Sequence, residues 1–140
     1  MLRKFLPTLN ETIEAAKIFS QQLHPGQVIY LQGPLGAGKT TFVQGLLKAW
    51  GYAGQVTSPT YTLVESYGLP QFTVVHFDFY RLKHPQELAF IGIKEYFTPT
   101  SIVFIEWPER AGTFIPAADW SVEFSYKEEG RQVKVERFYA

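Results

Sequence analysis

The run Gly33-Pro34-Leu35-Gly36-Ala37-Gly38-Lys39-Thr40 constrains this chain more than any other stretch. It satisfies G-x-x-x-x-G-K-[ST], a spacing that carries meaning only where a buried strand precedes it and a helix follows. Both flanks fit. Val28-Ile29-Tyr30-Leu31 is a short apolar run of the kind a strand covered on both faces shows, and Phe42, Val43, Leu46, Leu47 and Trp50 make the following segment an apolar-faced helix that stops at Gly51. Glycines admit positive φ, so successive backbone N–H groups can turn inward around an anion, and the helix adds the positive end of its dipole. Gly33, Leu35, Gly36, Ala37, Gly38, Lys39, Thr40 and Thr41 are therefore candidate nucleotide-binding residues. Lys39 is suited to lie along the β and γ phosphates, and the Thr40 hydroxyl to reach a magnesium ion.

The rest of the chain supplies a sheet for this loop. Thr8-Leu9-Asn10-Glu11 fits a capping box, and Leu9, Ile13, Ala16, Phe19 and Leu23 fall on one helical face up to a stop at His24-Pro25-Gly26. Thr60 to Tyr67 alternates with period two, and Gly68-Leu69-Pro70-Gln71 separates it from Phe72 to Asp78, which reads as a strand pair. Pro85 suits the first turn of a further helix whose Leu88, Ile91 and Tyr96 face the sheet. Ile102-Val103-Phe104-Ile105 is a second fully apolar strand, and the tail around Lys127-Glu128-Glu129-Gly130 reads as a hairpin. Strands alternating with helices predict an α/β domain with a mostly parallel sheet flanked by helices and an antiparallel C-terminal hairpin: a P-loop NTPase fold.

Magnesium takes hard oxygen ligands, so one or two carboxylates are expected near Thr40. The chain has two Asp residues, and Asp78 closes the run Val74-Val75-His76-Phe77; Glu106 ends the strand Ile102 to Ile105. In an open parallel sheet, ligands sit beyond the carboxyl ends of the strands, so both carboxylates can converge on the phosphates. Spacing alone leaves open which of the two is nearer the metal, and either could instead pair with Arg81 or Arg110. Thr57-Ser58-Pro59-Thr60-Tyr61 places three hydroxyls around a proline, either a plain turn or a segment that orders on the γ phosphate. His76 alternates with buried positions and reads as a core histidine. Trp107 is either a packing residue or a wall of the nucleotide pocket.

Composition narrows the function. At 140 residues the chain can bury one core and has no room for a second domain of similar size, so one domain over 1–140 is expected. With 13 Lys+Arg against 13 Asp+Glu there is no basic excess for nucleic acid or an anionic membrane, and any RNA contact would be local or borrowed from a partner. The absence of cysteine excludes a disulfide scaffold, a thiolate nucleophile and a Cys-ligated zinc site. Met1 to Pro7 lacks a long apolar segment and nowhere do 18 apolar residues run together, so a cytoplasmic protein is expected. Guanine-specific members of the P-loop class use an N-K-x-D loop; the single Asn here, Asn10, precedes the phosphate loop and is followed by Glu11, which favours ATP.

The ordered set Gly33 to Phe42, Ser58-Pro59-Thr60-Tyr61, His76-Phe77-Asp78-Phe79-Tyr80-Arg81-Leu82 and Ile105-Glu106-Trp107-Pro108 resembles the TsaE family, small bacterial ATPases of tRNA threonylcarbamoyladenosine biosynthesis. The likeness runs from about Thr12 to Trp107, and beyond it Gly130-Arg131 matches loosely. Phe79 stands where many members carry Leu, which keeps the apolar character. The resemblance implies a P-loop ATPase that acts with TsaB and TsaD, in which TsaD performs the modification and ATP hydrolysis resets the complex. It further implies that Lys39 holds phosphates, that Thr40 and Glu106 bind magnesium, and that Asp78 supports nucleotide and water. Ser58-Pro59-Thr60 becomes a switch-like loop, and Thr12, Thr60, Trp107 and Gly130 approach the nucleotide. Contact with tRNA would then come only through the complex.

Two other readings fit a phosphate loop. A small-molecule kinase needs an acceptor pocket and usually a lid, for which few residues are left once the sheet and helices are counted. A non-hydrolysing module would use ATP only to lock a partner-binding shape.

Overall fold

A computed structural model describes residues 2–139. Met1 and Ala140, the two ends of the expected domain, lie outside the described residues. In chain order the elements are β1 (Leu2–Leu6), α1 (Leu9–Ser20), β2 (Val28–Gln32), α2 (Lys39–Ala49), β3 (Val64–Gly68), β4 (Thr73–Asp78), α3 (Glu87–Phe90), β5 (Ser101–Glu106), β6 (Trp120–Lys127) and β7 (Gly130–Arg137), with 3₁₀ segments at Ile93–Tyr96 and Pro108–Phe114.

The strands form one seven-stranded sheet in the order β1-β7-β6-β2-β5-β4-β3. β6, β2, β5 and β4 run parallel; β3 is antiparallel to β4 at one end, and at the other β7 is antiparallel to both β6 and the edge strand β1. The P-loop architecture read from the sequence is the observed one, and the C-terminal hairpin is antiparallel as expected. Its first strand does more than extend an edge: β6 pairs in parallel with β2, so Val122 and Phe124 enter the core.

Period two decides the two faces. Ile29, Leu31, Val74, Ile102, Phe104, Val122 and Phe124 project to the side covered by α1 and α2, where they meet Ala16, Phe19, Phe42, Val43, Leu46 and Leu47. Val28, Val75, Phe77, Val103 and Ile105 project to the other side, beneath Leu88, Ile93 and Ala111. Burying a ring such as Phe42 or Phe104 stabilises the fold by about 2 kcal/mol each. α1 and α2 approach closely because α2 carries Gly45, where a Cβ would lie 2.9 Å from the Ala16 Cβ.

Several boundaries differ from the periodic reading. β1 carries one buried residue, Leu6, so no hydrophobic period announced this strand. α1 begins at the Thr8 cap, whose side chain accepts from the Glu11 N–H, but ends at Ser20 rather than near His24. There the Ser20 hydroxyl donates to the Lys17 carbonyl, a local bond that competes with the helical ladder. Leu23 reaches the core from the following loop, and Leu9 is exposed. The helix expected after Pro85 is a single turn because Gly92, at φ +66°, breaks it from the 3₁₀ segment that follows. Of its expected sheet-facing residues, Leu88 is buried while Ile91 and Tyr96 are half-buried. β3 begins at Val64; residues 60–63, read as part of the strand, instead belong to a turn closed by the Leu63 N–H donating to the Pro59 carbonyl.

Candidate functional site

β2, β4 and β5 end together, and the phosphate loop leaves from the end of β2. In the sheet register Leu31 lies beside Glu106 and Glu106 beside Asp78, so both carboxylates stand at the carboxyl edge next to the loop. Gly33 opens the loop at φ +139°, and a Cβ there would lie 2.5 Å from the Phe124 carbonyl oxygen of β6; only glycine lets the two backbones come that close. Gly38, at φ +110°, caps α2, and the first helical N–H groups have no side-chain cap. Those donors, with the helix dipole behind them, suit an anion.

Lys39 is 4% exposed and folds back over the loop. Its Nζ donates to the Gly33 carbonyl at 2.5 Å, lies 3.9 Å from Glu106 Oε1 and sits 4.4 Å above the centre of the Trp107 ring. Burial pushes the Lys39 ammonium below its ordinary range, while the charges of Glu106, Asp78 and Glu109 pull it back up. Thr40 Oγ1 lies 3.4 Å from Glu106 Oε2, and the same oxygen is 2.6 Å from His76 Nε2. Asp78 Oδ1 accepts from the Tyr80 N–H at 3.0 Å, and its Oδ2 lies 3.4 Å from Thr60 Oγ1, which in turn is 2.7 Å from Ser58 Oγ. Burial raises the Asp78 carboxyl above the ordinary Asp range, opposed by the Tyr80 N–H and reinforced by the neighbouring Glu106 charge. Two carboxylates and a threonine hydroxyl on one rim are the hard oxygen donors that magnesium takes when phosphates and water supply the rest. Among the described residues no group of three or more His, Cys, Asp or Glu is arranged to cage a metal by itself.

The other residues singled out in the sequence divide. Thr12, on α1, is buried, with its methyl 3.7 Å from where a Gly38 Cβ would be. Trp107 takes a left-handed conformation at φ +58°, which turns its ring under Lys39 and against Tyr80 at 5.1 Å. Arg110 stacks over Tyr80 and Trp107, whereas Arg81 stacks over the exposed Tyr61; neither pairs with Asp78 or Glu106. A Cβ on Gly130 would meet the backbone of Leu6 and Pro7, and the Gly130 carbonyl accepts from Arg131 Nη1 at 3.3 Å. Its neighbour makes the contact instead: Arg131 Nη2 donates to the Gly36 carbonyl at 3.2 Å, and the Tyr126 hydroxyl donates to the Leu35 carbonyl at 2.6 Å. Tyr126 lies 4.4 Å from the Arg131 guanidinium, so the hairpin braces the outer side of the phosphate loop. A cavity of about 320 Å³ lies elsewhere, between Ala15 and Phe19 of α1 and Val133 and Val135 of β7, remote from this rim.

Residues 6–134 match the family model described as threonylcarbamoyl adenosine biosynthesis protein TsaE. The chain is 41% identical over 139 residues to a Haemophilus influenzae protein named tRNA threonylcarbamoyladenosine biosynthesis protein TsaE, covering 96% of this chain and 88% of that one. A Synechocystis protein of the same name is 42% identical over 110 residues, covering 76% of this chain and 69% of the relative. Among solved structures, YdiB from Bacillus superposes with a TM-score of 0.78 at 26% identity, covering 94% of this chain and 82% of that one. No helix among the described residues is long and apolar enough to cross a membrane. A nucleotide-binding loop on a P-loop fold, and a family match across nearly the whole sequence, show that this chain belongs to the TsaE family.

Proposed function

We propose that this chain is a magnesium-dependent ATPase of tRNA threonylcarbamoyladenosine biosynthesis, working in the cytoplasm as a single domain over residues 1–140. It acts with TsaB and TsaD and meets tRNA only through that assembly. The observation that carries the reading is the convergence of the Lys39 ammonium, the Thr40 hydroxyl and the Asp78 and Glu106 carboxylates on one rim of the phosphate loop. The balance of 13 basic and 13 acidic residues agrees with leaving tRNA to the partners.

In this reading the backbone N–H groups of the loop cradle the phosphates of ATP, and Lys39 leaves the Gly33 carbonyl to lie along the β and γ phosphates. Thr40 and Glu106 hold magnesium, which when bound neutralises charge on the phosphate oxygens. Water attacks the γ phosphorus in line: a new P–O bond forms, the bond to the β–γ bridging oxygen breaks, ADP leaves carrying that bond's electron pair, and the protons of the water go to the phosphate formed and to solvent. Asp78, held by the Tyr80 N–H, orients that water, and Lys39 meets the charge that develops. Thr60 and Ser58, linked to Asp78 through hydroxyls, couple the 57–61 segment to the occupied site. Trp107 walls the pocket and Thr12 supports the loop from α1.

Phosphate release from ATP by the purified chain, alone and with TsaB and TsaD, tests this reading. Release that depends on magnesium and rises with the partners supports it. Binding with no release under either condition leaves an ATP-locked interaction module, and phosphate appearing on a small acceptor makes the chain a kinase.

A further inference from the structure

His76 is 0% exposed, on the α1/α2 side of β4, and the mechanism above gives it no role. Its Nε2 lies 2.6 Å from Glu106 Oε2. The register explains the reach: His76 pairs with Phe104 and Asp78 with Glu106, so the imidazole sits on the same face of the sheet, two residue pairs back from the rim. A carboxylate only accepts hydrogen bonds, so Nε2 is the donor in this pair, and Nδ1 is the ring's second polar atom. That Nδ1 is buried and has no partner among the described residues. An apolar side chain would fill this space without an unmatched polar atom, so packing does not account for a histidine here.

We propose that His76 is a positioning residue for Glu106. Glutamate has three rotatable bonds, and the Nε2–H bond anchors the far end of the side chain, keeping the carboxylate beside Thr40 Oγ1 and Lys39 Nζ. The anchor is itself fixed by the core around it. Partners of this kind behind a metal-binding carboxylate commonly change metal affinity 10- to 100-fold when removed. The inference rests on the proposed role of Glu106 toward magnesium.

The test is binding of a non-hydrolysable ATP analogue to the full chain, titrated with magnesium chloride and repeated in EDTA. His76→Leu is expected to raise the magnesium needed for half-saturation about 10-fold or more, with affinity in EDTA within about 3-fold of the parent. His76→Gln, whose amide nitrogen can take the place of Nε2, restores most of the loss. In a Glu106→Gln background, His76→Leu adds no further shift. Where magnesium tightens binding by the parent, a folded His76→Leu chain with the same magnesium response overturns the proposal, as does an equal loss in EDTA. If His76→Leu does not fold, His76→Gln and the shorter His76→Asn decide, and identical magnesium responses from the two overturn it. Proton–nitrogen NMR of the nucleotide-free chain separates this idea from the metal reading. A protected His76 Nε2–H resonance that moves in Glu106→Gln supports the anchor even if magnesium has no effect on the parent, which would sink the metal role alone; no such resonance overturns the anchor.

Discussion

Thr40 Oγ1 and Glu106 Oε2 stand 3.4 Å apart although 66 positions separate the two residues in the chain. The contact comes from β5 running parallel beside β2, which delivers the Glu106 carboxylate to the start of α2. Asp78 is turned instead toward the Tyr80 N–H and Thr60. Glu106→Gln is therefore expected to weaken the magnesium dependence of ATP binding by about 10-fold or more while changing binding in EDTA little. An unchanged magnesium titration would move the metal role to Asp78.

Lys39→Ala should reduce phosphate release at least about 100-fold, the usual loss when a charge aimed at the transition state is removed. The fold should survive, because the ammonium is pushed toward its neutral form by burial and contributes no apolar packing at its tip. Circular dichroism and a melting curve check this. A chain that no longer folds would mean that Lys39 serves the core rather than the nucleotide.

Asp78 makes stability depend on pH. Its folded-state pKa is raised, chiefly by burial, so the favourable contribution of its protonated form is present below the ordinary carboxylate range and lost as pH rises through the raised value. At neutral pH the ionised group opposes folding. Asp78→Asn is expected to raise the melting midpoint at about pH 7 by roughly 2–6 °C and to lose phosphate release, with the gain shrinking toward about pH 4. A gap that stays constant across that range would show that ionisation of Asp78 is not its cause.

The hairpin brace can be removed without touching the phosphate-contacting backbone. Tyr126→Phe with Arg131→Ala deletes both bonds to the Leu35 and Gly36 carbonyls. Those carbonyls can turn to water, so stability should fall by no more than about 1 kcal/mol per bond. ATP affinity should drop roughly 3- to 10-fold as the loop loses its preset shape. Calorimetric titration and thermal denaturation of the double variant read both effects, and unaltered affinity would make the brace incidental.

What the sequence discloses and what it hides follow from contact range. Gly33 to Thr41 is legible because its chemistry is local, and the strands ending at Asp78 and Glu106 are legible because both are buried runs with a carboxylate at the close. His76 is as buried as its alternation implies, but its bond to Glu106 crosses strands, and only the register of β4 on β5 reveals it. Tyr126 and Arg131 reach the loop across separations of 91 and 95 residues, with no motif to mark them. Gly130 drew notice because the family match touches it, while the loop contact belongs to the next residue. β1 stayed hidden because an edge strand with one buried side chain leaves no period to read.

The place of β6 bears on how the chain is made. Translation runs from the N-terminus, so the phosphate loop emerges from the ribosome some ninety residues before the hairpin that braces it. Until Trp120 to Arg137 has been synthesised, β2 has one edge without its neighbour and the carbonyls of Leu35 and Gly36 lack their donors. The site acquires its finished shape only after the hairpin strands have been made, so a nascent chain stopped short of Arg137 does not yet have a finished loop in which to hold a nucleotide.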